Sequence, residues 1–240
     1  MRGLLPALAL AAATALAAAA PPKIEDSMAQ RLLACTGCHG KQGRATSDGY
    51  IPRLAGKPAG YLLNQLHHFR DGRRQLRLMT GLLDPLDDAY LAEIAAHFAA
   101  LDIAYPPPQA ASADRASLAR GEQLALRGDA GRRVPACSAC HGAALTGTQP
   151  AVPGLLGLPR DYLNAQLGAW RGGNRRAHAP DCMASIARRL APDDVAAVAH
   201  WLAAQPVPAG GRPAPHEPAA WPLACGGVPQ RHVAAPEPAR

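Results

Sequence analysis

The sequence predicts an all-α protein built from two tandem copies of one domain. An ordered series of residues in the first half recurs in the second half, at an offset of about 101 residues. Both copies carry apolar residues at the i, i+3, i+4 and i+7 spacings of amphipathic helices. No segment shows the sustained apolar–polar alternation of a half-buried strand, so we expect almost no sheet.

The repeat begins at two cysteine motifs, where residues 35–40 (CTGCHG) match residues 137–142 (CSACHG). The matched pairs downstream are Pro52 with Pro153, Leu54 with Leu155, Gly56 with Gly157, Pro58 with Pro159, Tyr61 with Tyr162, Gln65 with Gln166, Phe69 with Trp170, Arg74 with Arg175 and Met79 with Met183. So many matches in one order indicate an internal duplication.

Each copy is predicted to contain the same helices. A helix precedes the cysteines, over 24–34 in the first copy and 116–127 in the second, and a short helix follows over 58–69 and 159–170. The apolar residues of the final helices are Leu91, Ile94, Ala95 and Phe98 in the first copy and Val195, Val198, Ala199 and Leu202 in the second. Aspartate pairs at 87–88 and 193–194 open these final helices, since carboxylates favour the positive end of the helix dipole.

Residues 1–20 are predicted to be a secretory signal peptide. Arg2 supplies the positive charge, Leu4 to Leu16 form a short apolar region, and the following alanines offer small residues for cleavage before Pro21. The alternative is an uncleaved anchor, which the length disfavours because a transmembrane helix needs about 20 apolar residues. Such a signal places the mature chain in the periplasm, an oxidising compartment.

The remaining chain is predicted to comprise two domains, a linker and a tail. The domains occupy 24–104 and 114–206, and a Pro- and Ala-rich linker, 105–113, joins them. The tail, 207–240, is again rich in Pro, Ala and Gly, although Trp221 indicates a docked patch.

Basic residues outnumber acidic ones, 25 against 18, which gives a formal net charge of +7. This balance suits acidic proteins or a peripheral position at a membrane surface, and it selects neither. Nucleic acid is excluded as a partner, because the basic residues are not interleaved with aromatic ones and the chain is predicted to be exported.

Each copy contains one Cys-x-x-Cys-His motif, the attachment signature of c-type heme. On a helical turn, two thiols at this spacing can add to the porphyrin vinyl groups while the adjacent histidine reaches the iron. The predicted heme-binding residues are Cys35, Cys38 and His39 in the first copy and Cys137, Cys140 and His141 in the second. The alternatives are weak, because a zinc site needs further ligands at fixed spacing and a thioredoxin-like pair accompanies a βαβ pattern.

A methionine is predicted to be the second axial ligand of each iron. Met1 leaves with the signal and Met28 lies on the helix that precedes the first motif. Met79 and Met183 remain, one per copy at repeat-equivalent positions. Thioether ligation raises the reduction potential relative to bis-histidine iron.

Histidines are the competing axial ligands. His178, five residues before Met183, is the strongest rival in the second copy. The remaining histidines, which are unrepeated or expected to contact packing elements or solvent, are His67, His68, His97, His200, His216 and His232.

Two further matched pairs could support the hemes. Pro52 and Pro153 follow the motif histidines by about a dozen residues, where a proline carbonyl can accept a hydrogen bond from the imidazole Nδ1 and orient the ring. A simple turn proline is the alternative. Arg74 and Arg175 could pair with heme propionates or could be solvated.

Cys182 and Cys225 are left over after heme attachment. In an exported protein, two spare thiols suggest a disulfide. This bond would pin the tail beside the loop of the second axial methionine.

These residues resemble the diheme cytochrome c4 family over about 24–205, through the two CxxCHG motifs, a Pro-x-Leu-x-Gly loop, a Tyr-Leu-x-x-Gln-Leu helix, an Arg-rich turn and a later Met. The resemblance implies two tandem class I cytochrome c domains, each around one covalent heme, with the hemes facing each other across the interface. It also implies that His39 with Met79, and His141 with Met183, ligate the irons.

The resemblance further implies electron transfer from a quinol-oxidising complex or a dehydrogenase to a terminal oxidase. Three functions compete: a soluble electron shuttle, the heme-carrying acceptor subunit of a dehydrogenase complex, and a diheme peroxidase-type enzyme. The matched methionines favour a carrier without catalytic residues, because two saturated irons leave no position for substrate. A stable co-purifying partner would favour the subunit over the shuttle.

Overall fold

Helices dominate the computed structural model, which describes residues 27–228 except 47, 217 and 219. The predicted signal peptide, the first residues of the first predicted helix and the end of the tail lie outside this range. The first copy contains α1 (Met28–Arg31), α2 (Leu33–His39), a 3₁₀ turn (Lys41–Gly43), α3 (Ala59–Arg70), α4 (Arg77–Leu83) and α5 (Asp88–Ala100). The second contains α6 (Arg115–Leu126), α7 (Ser138–His141), β1 (Gly147–Thr148), β2 (Val152–Pro153), α8 (Arg160–Gly172), α9 (Cys182–Arg189) and α10 (Pro192–Ala203).

The all-α prediction is confirmed, and the predicted helices occur with bounds shifted by a few residues. The sheet consists only of the antiparallel pair β1–β2 in the part of the chain that the structure describes. The helix predicted over 24–34 is interrupted at Leu32, which separates α1 from α2, and α2 continues past the predicted end through the cysteine motif. The pattern does not predict α4 and α9, the helices that carry the two candidate methionine ligands.

Aspartate side chains cap the N-termini of several of these helices. Asp87 accepts a hydrogen bond from the Tyr90 amide at 2.8 Å at the start of α5, and Asp114 caps α6 in the same way. At α10 the Asp194 carboxylate accepts from the Ala191 amide at 3.1 Å. Each bond satisfies an amide that has no partner within the helix.

Each half has its own hydrophobic core, formed by the predicted faces of the final helices. The first core comprises Leu32, Leu62, Phe69, Leu83, Leu91, Ile94, Ala95 and Phe98. Val198, Ala199 and Leu202 of α10 lie in the second core with residues of α6 and α8. At Gly121 α6 crosses α10 so closely that an added Cβ would lie 2.7 Å from the Cβ of Trp201.

The halves meet through matched segments of backbone. Arg74 and Arg175 form an antiparallel bridge, flanked by the Gln75 amide donating to the Asn174 carbonyl at 3.1 Å. The Arg176 amide donates to the Arg73 carbonyl at 2.7 Å. Residues at equivalent places in the duplication therefore face one another across this contact.

The predicted linker and the tail both lie against the two halves. Arg53, which is 2% exposed, donates to the Ala104 carbonyl at 2.9 Å and stacks over the Tyr105 ring. In the tail, the Ala214 amide donates to the Gly147 carbonyl at 2.8 Å. In the part of the chain that the structure describes, none of the helices has the length and apolar character that a membrane span requires.

Candidate functional site

In the second half, the predicted heme residues line one apolar cavity. Cys137, Cys140 and His141 contribute to its wall from α7 and the residue before it, and Met183 contributes from α9. Apolar side chains that include Leu124, Val134, Leu163, Ile186 and Leu202 form much of the remaining wall. The structure thus brings together the four residues predicted for this site.

The orientation of His141 is fixed by its hydrogen bond. Its Nδ1 lies 2.7 Å from the Pro153 carbonyl oxygen, as the proline spacing predicts. Burial lowers the pKa of His141, the bond to Pro153 opposes this, and the charge of Lys57 lowers the pKa further. A neutral imidazole that donates from Nδ1 keeps its Nε2 lone pair available for a metal.

The first half repeats this geometry. The Nδ1 of His39 lies 2.9 Å from the Pro52 carbonyl oxygen, and burial is the main reason why the pKa of His39 is lowered. Cys35 and Met79 are partly buried and pack against the same hydrophobic core. The candidate ligands of the first half therefore lie on α2 and α4, and Cys35 and Met79 both contact that core.

Burial disfavours the thiolate form of three of the motif cysteines. Burial raises the pKa of Cys137 to about 12, and it also raises the pKa of Cys35 and of Cys140. Redox-active Cys-x-x-Cys pairs instead have lowered thiol pKa values. These thiols therefore resemble attachment points more than a thioredoxin-like centre.

The residues present fit a c-type heme. Two thiols, one imidazole and one thioether line the second cavity, which is the donor set of covalent attachment with His/Met ligation. The Nε1 of Trp170 and the Nε2 of His68 border the same cavity, are buried, and have no hydrogen-bond partner in the described structure. A heme carboxylate is a suitable acceptor for the indole N–H.

A reciprocal polar network joins the two sites at the interface of the halves. Arg74 donates to Gln166 at 2.8 Å, and Arg175 donates to Gln65 at 2.8 Å. Each guanidinium also reaches the glutamine of its own half and the tyrosine of the other half, Arg74 to Tyr162 and Arg175 to Tyr61. Arg175 is only 4% exposed, so the solvated alternative is wrong for this residue.

Of the rival histidines, His178, His97 and His200 contact other groups, whereas His68 borders the second cavity. His178 packs on His68 of the first half, with ring centroids 4.9 Å apart. His97 contacts the edge of the Phe98 ring, and the Nδ1 of His200 lies 3.3 Å from the Ser112 hydroxyl. His68 is the unexpected member, because an unrepeated histidine of one half borders the cavity of the other.

The tail completes the second cavity. Cys182 and Cys225 form the predicted disulfide, and the Gly226 amide donates to the Pro180 carbonyl at 2.9 Å. Trp221 and Leu223 contribute to the cavity wall. The spare cysteines were the sequence signal for this contact, whereas the bond from Asn64 of the first half to the Gly227 carbonyl had no signal.

Comparison with known proteins identifies the family. The cytochrome c family model matches residues 118–205. A thiosulfate dehydrogenase electron acceptor from Thiomonas intermedia is 38% identical over 82% of this chain and 86% of its own length. Cytochrome c4 from Pseudomonas aeruginosa is 36% identical and is matched over 82% of its length. The chain belongs to the diheme cytochrome c4 family.

Solved structures agree with this assignment. Reduced recombinant cytochrome c4 from Pseudomonas stutzeri matches with a TM-score of 0.64 and 30% identity, over 73% of this chain and 95% of its own. The thiosulfate dehydrogenase (TsdBA) from Marichromatium purpuratum matches with a TM-score of 0.65 and 35% identity, and this chain spans 36% of that longer chain. The protein is accordingly a cytochrome c electron carrier with two class I domains and two covalent c-type hemes.

Proposed function

We propose that this cytochrome c4 relative accepts electrons from a dehydrogenase in the periplasm and passes them, through its two hemes, to a terminal acceptor. The observation that carries the proposal is the pair of equivalent sites joined by the Arg74–Gln166 and Arg175–Gln65 bonds. This network holds the halves in one arrangement, so an electron that enters at one site can leave from the other.

The domains and ligands are assigned as the duplication suggests. Domains 24–104 and 114–206 each hold one heme, joined by the linker 105–113, and the signal peptide 1–20 and the tail 207–240 flank them. Cys35 and Cys38 hold the first heme, and Cys137 and Cys140 the second. His39 with Met79 and His141 with Met183 are the proposed iron ligands.

The surrounding residues would keep the ligands fixed during electron transfer. Each bound heme supplies an iron that takes up and releases one electron. The Pro52 and Pro153 carbonyls hold the histidine rings, which reduces reorganisation when the charge at the site changes. The apolar wall of the second cavity excludes water and, with a thioether ligand, favours a high reduction potential.

Ligand saturation distinguishes a carrier from a peroxidase-type enzyme. We expect two low-spin hemes and no carbon monoxide binding by the reduced protein, measured by absorption spectroscopy of the matured protein. Met79→Ala and Met183→Ala should each remove part of the Met-to-iron charge-transfer band and open one iron to carbon monoxide. If a wild-type heme were high-spin or bound carbon monoxide, the carrier proposal would be wrong and the peroxidase-type enzyme would be favoured.

Thiosulfate dehydrogenase is the donor that the relatives favour. Besides the Thiomonas protein, a thiosulfate dehydrogenase electron acceptor from Stutzerimonas stutzeri is 40% identical over 71% of this chain and 78% of its own length. Catalytic amounts of a thiosulfate dehydrogenase with thiosulfate should reduce both hemes, and omission of either component should leave them oxidised. Reduction by a quinol-oxidising complex alone would instead favour the shuttle that feeds a terminal oxidase.

A further inference from the structure

Lys57 is a buried cation of the first half that borders the heme cavity of the second. It lies in the loop before α3, is 7% exposed, and contributes to the cavity wall that also contains His141. Lys57 directly follows Gly56, and the residue that directly follows the matched Gly157 in the second copy is the apolar Leu158. The duplication has therefore placed a charge at one site that the other lacks.

The surroundings of Lys57 do not supply a negative partner. Besides burial, the cations Arg53 and Arg175 lower the pKa of Lys57, and the Tyr162 phenol opposes them. No carboxylate among the described residues forms an ion pair with it. Burial lowers the pKa of Lys57 to about 8. A buried, unpaired ammonium is costly and calls for an anionic neighbour.

The electrostatic effect of Lys57 is directed to the second site. Its charge acts on His141, whereas the cation that acts on His39 is Arg74. The nearby Arg175 already donates to Gln166 and Gln65 and stacks over Trp170, with its guanidinium carbon 3.8 Å from the ring centroid. The ammonium is thus the cavity cation whose donors are least committed to protein acceptors.

We propose that Lys57 pairs across the domain interface with a carboxylate of the heme held by the second half, and thereby raises the reduction potential of that heme. The inference rests on the proposed function, because it needs a heme at each motif. The physical reason is Coulombic: a nearby cation favours the reduced iron, which carries one positive charge fewer, and the buried setting limits screening. Lys57 thereby contributes to the driving force for electron transfer from the first heme to the second.

Potentiometry of the matured diheme protein tests this assignment. The Met183→Ala variant identifies the second heme, and Lys57→Met then removes the charge with little change of side-chain shape. We expect the equilibrium constant for electron transfer from the first heme to the second to fall about tenfold, which is about 59 mV for a one-electron couple. The first heme should keep its potential.

Charge-matched controls separate this effect from a packing defect. Lys57→Arg keeps the positive charge and should keep most of the wild-type potential of the second heme. Lys57→Gln should lower this potential as Lys57→Met does, and it replaces that variant if Lys57→Met folds poorly. Lys41→Met should leave the potential of the second heme unchanged, because Lys41 is exposed. An unchanged second potential, or an equal shift of both hemes, in a variant with two hemes and intact ligand bands overturns the inference. Failure of the proposed function would instead be seen in the wild type, as missing hemes or missing His/Met bands.

Discussion

The two halves carry the same candidate ligands on equivalent helices and differ in what surrounds them. In the second half, the tail, a disulfide and residues of the first half enclose the cavity. In the first half, α4 and the residue before it leave leucines open to solvent: Leu76, Leu78 and Leu82 are 55%, 62% and 40% exposed. The two copies thus keep equivalent ligands on equivalent helices, whereas the surroundings of the two sites differ.

The approach to the cysteine motif differs as well. In the first half α2 runs directly through the motif to His39, whereas in the second half a loop separates α6 from α7. Arg120 holds this loop to α10, because it donates to Asp129 at 2.7 Å and to Asp194 at 2.8 Å. The second half therefore depends on polar bonds and a covalent bond that the first half does not use.

Removal of the disulfide should cause the largest loss of stability, and this loss should be confined to the second half. The bond joins residues 43 positions apart, and a loop of that size corresponds to about 4 kcal/mol in the chain-entropy account. We expect Cys182→Ser with Cys225→Ser to lower the free energy of unfolding of the second half by about 2–4 kcal/mol and to weaken the Met183 charge-transfer band. Urea unfolding followed at each heme measures this.

The first half is the internal control for that experiment. Its Met79 charge-transfer band should disappear at the same urea midpoint as in the wild type. Wild-type protein whose disulfide has been reduced and its thiols alkylated, with the hemes then reoxidised, should behave like the double variant. An equal loss in both halves would contradict the comparison, because it would show that the tail stabilises the interface and not the second site.

Loss of the Arg120 contacts should have a smaller effect that depends on pH. Burial raises the pKa of Asp194, but hydrogen bonds from Arg120 and the Ala191 amide outweigh it and leave the pKa lowered. The bond from Arg120 is the main reason for the lowered pKa of Asp129. These carboxylates therefore contribute stability above the unfolded pKa of about 3.9, and the stability is lost as pH falls through their folded values.

We expect Arg120→Ala to cost the second half about 2 kcal/mol at pH 7, because it leaves the buried Asp194 carboxylate with poorer pairing. The variant should also lose less stability than the wild type when the pH falls below about 4. Arg115→Ala, at an exposed position on the same helix, should change stability by about 0.5 kcal/mol or less. Parallel acid-unfolding curves of Arg120→Ala and the wild type would argue against the ion-pair account.

The sequence was sufficient for features that are local or repeated. The final helices, their buried faces and the hydrogen bonds from the motif histidines to Pro52 and Pro153 follow from spacing within one copy. The disulfide followed from counting the cysteines that heme attachment leaves over.

Contacts between the copies could not be predicted in the same way. A repeat shows that Gln65 and Gln166 are equivalent but not that each meets the arginine of the other half. The roles of Lys57 and His68 depend on how one domain docks on the other, and neither residue is repeated. Helices α4 and α9 were missed because their short apolar runs lack a helical period long enough to recognise.

Substitution of the interface arginines should show the smallest difference in stability cost between the halves. Arg175 is buried and lies 3.8 Å from the Trp170 centroid, whereas Arg74 is half-buried and lies 4.5 Å from the Phe69 centroid. A lysine cannot reproduce the planar fork that reaches two glutamines and a tyrosine. We expect Arg175→Lys to cost about 1–2 kcal/mol and Arg74→Lys about half as much, in chemical unfolding of the diheme protein. A larger cost for Arg74→Lys than for Arg175→Lys would contradict this order. It would mean that the charge of Arg74 near His39 contributes more to stability than the burial of Arg175.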